Sequence, residues 1–72
     1  MYEWEIRLKR GERIYTIYHL AENWDLKGKT IYFYHYRKVS KQLPSDQVES
    51  IQKTWPEVGE LWTNANLSPS EQ

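Results

Sequence analysis

The chain has 72 residues, ten basic and ten acidic, no cysteine, four tryptophans and six tyrosines. A chain this short folds as one small domain around a single core, and without cysteine it has no disulfide or thiolate metal site to reinforce that core. Overall neutrality excludes a uniformly basic nucleic-acid binder, and no segment reaches the about 20 apolar residues of a membrane-spanning helix. The expectation is a soluble cytoplasmic domain over residues 1–66, with a flexible tail at 67–72.

From Tyr2 to Lys9 apolar and charged residues alternate without interruption, so Tyr2, Trp4, Ile6 and Leu8 share one face of a strand. Arg10-Gly11-Glu12 reads as a three-residue hairpin loop with glycine at positive φ, leading to a second strand over 13–20. This loop length sets Leu8 opposite Ile14, Ile6 opposite Thr16 and Trp4 opposite Tyr18, with all of these side chains on the buried face. Residues 21–28 form a polar connection containing Trp24 and Leu26.

A third strand, 29–39, is filled with β-branched and aromatic residues. Ile31 and Phe33 point to the core, and Tyr32, Tyr34 and Tyr36 to the opposite face. Pro44-Ser45-Asp46 then resembles a helix start, and Val48, Ile51 and Trp55 recur at i, i+3 and i+7 as an apolar stripe up to Pro56. The expected fold is therefore α+β: a three-stranded antiparallel meander (2–9, 13–20, 29–39) covered on one face by a helix at 45–55. A short helical turn follows between 57 and 64. Trp4 and Trp55 are expected to touch.

A second arrangement competes. Residues 17–36 resemble a helix-turn-helix of the lambda-repressor-like type, with Leu20-Ala21-Glu22 in its first helix, Asp25-Leu26 at the turn and Thr30-Ile31 in the recognition helix. Arg7-Leu8-Lys9 stands upstream at a plausible distance, and Trp62 resembles the tryptophan that often follows in phage repressors. That resemblance implies an all-α transcriptional regulator. The chain departs from the pattern with Asp25 in place of the usual glycine, three extra residues before Pro44, and a recognition helix made of β-favouring residues.

In the meander, the uncovered face is both aromatic and basic, the composition that stacks bases and neutralises phosphates. Tyr32, Tyr34 and Tyr36 stand about 6.5–7 Å apart along one strand. Arg7, Lys9, Arg13, Tyr15 and Lys29 join them as the expected binding surface for DNA or RNA. By analogy of fold alone, helix-backed three-stranded sheets read the major groove in the arm-binding domains of phage integrases. The same face equally suits a protein partner or a homodimer, as in a compact inhibitor of phage or mobile-element type.

No catalytic constellation is present. His19 and His35 have Glu22 as the one acid at close spacing, so no metal or other cofactor is expected. Glu3 and Glu5 lack a nucleophile or a second functional acid, and the serines lack a histidine–aspartate pair. The expectation is a binding protein that is not an enzyme.

Overall fold

The computed structural model describes residues 1–64. Its first hairpin joins β1 (Tyr2–Arg10) to β2 (Arg13–Ala21) through a loop of two residues. Gly11 takes φ +61° and Glu12 stays in the negative region, the pattern of a type II′ turn, which matches the natural twist of the flanking strands. The positive φ falls where the sequence places it, but the loop is one residue shorter than expected.

That single residue reverses β2. Leu8 faces Tyr15, Ile6 faces Ile17, Trp4 faces His19 and Tyr2 faces Ala21. With a side-chain period of two, a one-residue slip sends every side chain to the other side. Ile17, His19 and Ala21 turn inward, while Ile14, Tyr18 and Leu20 are exposed.

The expected α+β fold is overturned: the described chain is almost entirely strand, with no α-helix and no helix-turn-helix. The polar connection at 21–28 contains β3 (Asn23–Lys27), which hairpins through Gly28 (φ +62°) into β4 (Thr30–His35). The long third strand is cut by a two-residue turn at Tyr36-Arg37, after which β5 (Lys38–Pro44) runs back along β4. The helix expected at 45–55 is one 3₁₀ turn (Ser45–Gln47) followed by β6 (Val48–Trp55), and the expected turn near 57–64 contains β7 (Leu61–Thr63). The tail expected at 67–72 lies outside the described residues.

Two β-bulges explain why β6 imitates a helix. Against β1, Leu8 pairs with Val48 but Arg7 with Ser50, and Trp4 pairs with Lys53 but Glu3 with Trp55. Glu49 and Thr54 are the extra residues, and each bulge adds one position to a period of two. Val48 and Ile51 thus share the core face three residues apart, whereas Trp55 faces away at 57% exposure. The expected Trp4–Trp55 contact is not made; Trp4 packs edge-on against Tyr2 and Phe33 and donates from Nε1 to the Ala21 carbonyl at 3.1 Å.

The strands form two antiparallel sheets, one in the order β2-β1-β6-β7 and one in the order β3-β4-β5. The chain crosses from the first to the second at Glu22, whose N–H donates to the Tyr34 carbonyl at 2.8 Å. Ile6, Ala21, Val48 and Ile51 of the first sheet and Ile31 and Phe33 of the second form the buried core. Phe33 is its hub: the rings of Trp4, His19 and Trp24 meet it at 5.6–6.4 Å, and Trp24 continues to Trp62 at 5.2 Å.

Candidate nucleic-acid interface

The outer face of the three-stranded sheet is set by the inward anchoring of Ile31 and Phe33. Both are fully buried, so the alternation of β4 turns Tyr32 and Tyr34 outward, as the sequence predicts. Their ring centroids stand 6.4 Å apart with planes inclined by 31°. Lys27, at the end of β3, lays its ammonium 5.8 Å from the Tyr34 ring. A hydrogen bond with Tyr34 raises the Lys27 pKa.

Tyr36 leaves this row. It sits in the β4–β5 turn with φ +50°, its ring 4.3 Å from that of His35 and 73% exposed. Lys29 occupies the opposite turn, between β3 and β4, and Arg37 and Lys38 lie beside Tyr36. The remaining expected site residues lie on the other sheet: Arg7 and Lys9 on β1, Arg13 and Tyr15 on β2. The structure thus unites Tyr32, Tyr34, Tyr36 and Lys29 on one sheet and its turns, and leaves Arg7, Lys9, Arg13 and Tyr15 apart from them.

Of the other cations on this sheet, Lys27 shares the tyrosine face, as does Asp25 opposite Tyr32, and Arg37 lies in the β4–β5 turn; Lys41, opposite Phe33, and Lys38, opposite His35, fall on the inward parity. Residues 23–44, the three-stranded sheet and its turns, carry five basic residues and one acid, Asp25. The rest of the described chain carries five basic residues and eight acids.

His19 is half-buried at the junction between the sheets, its ring 5.6 Å from that of Phe33. Its Nε2 and the Ser40 hydroxyl are 2.8 Å apart, and Ser40 also donates to the Phe33 carbonyl at 3.3 Å. Burial, with Lys41 and His35 adding to it, lowers the His19 pKa, so the ring is neutral at pH 7.

On the outer side of the four-stranded sheet, a cavity of about 280 Å³ is lined by residues including Glu5, Arg7, Glu49, Gln52, Leu61 and Thr63. Glu5 there accepts a hydrogen bond from the Tyr18 hydroxyl at 3.2 Å, and this carboxylate raises the Tyr18 pKa. Among the described residues no group of three or more His, Cys, Asp or Glu side chains is placed to hold a metal ion. No helix among them is long and apolar enough to cross a membrane. Compared with protein-family models, with curated proteins and with solved structures, the chain has no match in any of the three.

Proposed function

We propose that this protein is a small, non-catalytic nucleic-acid-binding module of the cytoplasm, and that it binds through the outer face of β3-β4-β5. The observation that carries the proposal is the coincidence of paired outward tyrosines with five of the ten basic residues on one sheet and its turns. Unpaired bases stack on Tyr32 and Tyr34, whose rings offer π-faces to any base. Lys27, with Lys29 and Arg37 in the two turns, neutralises the backbone, and the acidic remainder of the molecule keeps the polyanion away from other surfaces. Half-buried rings on an outer sheet face favour single strands, because bases in a duplex are already stacked on each other.

The test is a titration of labelled single- and double-stranded DNA and RNA at two salt concentrations. Tyr34→Ala is expected to weaken single-strand binding by about 1–3 kcal/mol, the usual loss of one stacked base. Lys27→Ala is expected to weaken all sequences alike and to flatten the salt dependence by about one ion. Binding weaker than about 100 μM at low salt for every oligonucleotide would end the proposal, since that is below ordinary non-specific affinity. Unchanged affinity in both variants, with loss in Arg7→Ala, would move the site to the other sheet.

A further inference from the structure

Two-sheet proteins expose strand edges, and here the edges differ sharply in their protection. β3 carries Asp25 and Lys27, β5 carries Lys38, Lys41 and a terminal Pro44, and β7 is three residues long. Charges, proline and shortness are the devices that stop an edge from pairing with another chain. β2 has one of them, at its first residue, Arg13: from Ile14 to Ala21 there is no Asp, Glu, Lys, Arg or Pro, and β2 is the outer strand of its sheet.

The backbone register says which groups are free. Arg10 and Arg13 close a two-residue hairpin and form a hydrogen-bonded pair, so Arg13, Tyr15, Ile17, His19 and Ala21 direct their N–H and C=O groups to β1. By alternation Ile14, Thr16, Tyr18 and Leu20 direct theirs away from it. The next residue of that parity confirms the direction: Glu22 donates its N–H to Tyr34 of the second sheet. Among the described residues no strand lies beside this edge from Ile14 to Leu20. The outward side chains are apolar and open, with Ile14 54%, Tyr18 59% and Leu20 53% exposed.

We infer that β2 is a dimerisation edge that pairs antiparallel with β2 of a second copy, joining two four-stranded sheets into one of eight strands. The occupant is a second copy because the strand is complementary to itself. Centred on Thr16, a two-fold places Thr16 opposite Thr16, Ile14 opposite Tyr18 and Arg13 opposite His19. Charge repulsion is absent from this register: residues 14–21 carry no formal charge, and His19 is held neutral beside Ser40. The Thr16 centre also leaves the crossing at Glu22 clear of the partner. An isologous contact of this kind closes at two subunits, so the edge is consumed and no fibre grows. The basic faces of the two copies remain free, and the dimer presents two of them.

Sedimentation equilibrium of the full chain over micromolar to millimolar concentration tests this directly. The expected result is a monomer–dimer equilibrium ending at twice the chain mass, with amide exchange of Ile14, Thr16 and Tyr18 slowing as dimer accumulates. Ile14→Lys places an exposed charge on the edge, and Thr16→Pro removes an N–H that β1 does not use, so both are expected to stay folded and shift the equilibrium at least tenfold toward monomer. Matching circular dichroism spectra certify that they are folded. A chain that stays monomeric throughout, a dimer untouched by both substitutions, or growth beyond two subunits each overturns the inference. Oligonucleotide titrations of Ile14→Lys separate this outcome from that of the proposed function, because the lysine lies on the sheet that is not proposed to bind.

Discussion

Tyr36 and Arg37 form a hairpin turn in which both residues have positive φ, +50° and +70°, although neither is glycine, asparagine or aspartate. Turns with two left-handed residues strongly prefer those three, because a Cβ is crowded there. The chain tolerates the strain at the point where Tyr36 and Arg37 project from the basic sheet. Arg37→Gly is expected to raise stability by about 1 kcal/mol in urea unfolding while weakening oligonucleotide binding by removing a cation. An unchanged midpoint would mean that the surroundings already relieve the strain. His19 gives the second test at this scale. Its folded pKa lies below the unfolded value of 6.5, so protonation favours the unfolded chain. Stability from this group is complete above about pH 6.5 and is lost as pH falls from there through the folded pKa. His19→Gln is expected to flatten that part of the urea-midpoint profile measured between pH 7.5 and pH 5, in which this histidine takes up a fraction of a proton on unfolding.

Each of the strands β1 and β6 is explained by its partner more than by its own composition. β1 is central, paired on both sides, and its Ile6 is fully buried opposite Ile17 and Ile51. Two bulges against β1 rotate β6 so that Ile51 is buried and Trp55 is not. Ile51→Ala is therefore expected to cost about 2–5 kcal/mol, and Trp55→Ala less than about 1 kcal/mol, as read by chemical denaturation. A large loss from Trp55 would restore the helical packing that the structure replaces. After β7, Asn64 donates from its side chain to the carbonyls of Ser45 (2.7 Å) and Val48 (3.1 Å), tying the end of the described chain to the 3₁₀ turn and the start of β6. Asn64→Ala is expected to cost about 1–3 kcal/mol, because it strands acceptors at a buried position. A neutral result would show that water replaces those bonds.

The molecule as a whole closes around Phe33, which brings rings from β1, β2 and β3 onto β4 and so couples the two sheets. Removing that ring by Phe33→Ala is expected to cost about 3–5 kcal/mol, a large part of what a domain of this size possesses. Far-UV circular dichroism of the variant should lose its strand signature, while the parent shows strand without the double minimum of helix. A cooperative, native-like melt of Phe33→Ala would mean that the sheets hold together independently. Charge is divided at the same scale: the three-stranded sheet and its turns carry five basic residues and one acid, and the rest of the described chain carries five basic residues and eight acids.

The residues alone determined what is local. Strict alternation made β1 a strand with Ile6 inward; glycine marked the first hairpin; β-branched and aromatic content made residues 30–35 a strand with Phe33 buried and Tyr32 and Tyr34 outward. Each of these follows from a period of two or from a steric property of one side chain. Tertiary structure decided everything that depends on a partner strand. Whether the first loop has two or three residues changes the face of all nine residues of β2, and an Arg-Gly-Glu-Arg segment accommodates either length. The bulges at Glu49 and Thr54 arise from pairing with β1, so β6 alone has the apolar spacing of a helix. The turn at Tyr36-Arg37 carries no turn-forming residue and exists because β5 gains a ladder with β4 by folding back. The basic face is assembled from two turns and a strand, and only the closing of β3-β4-β5 brings Lys27 to the ring of Tyr34.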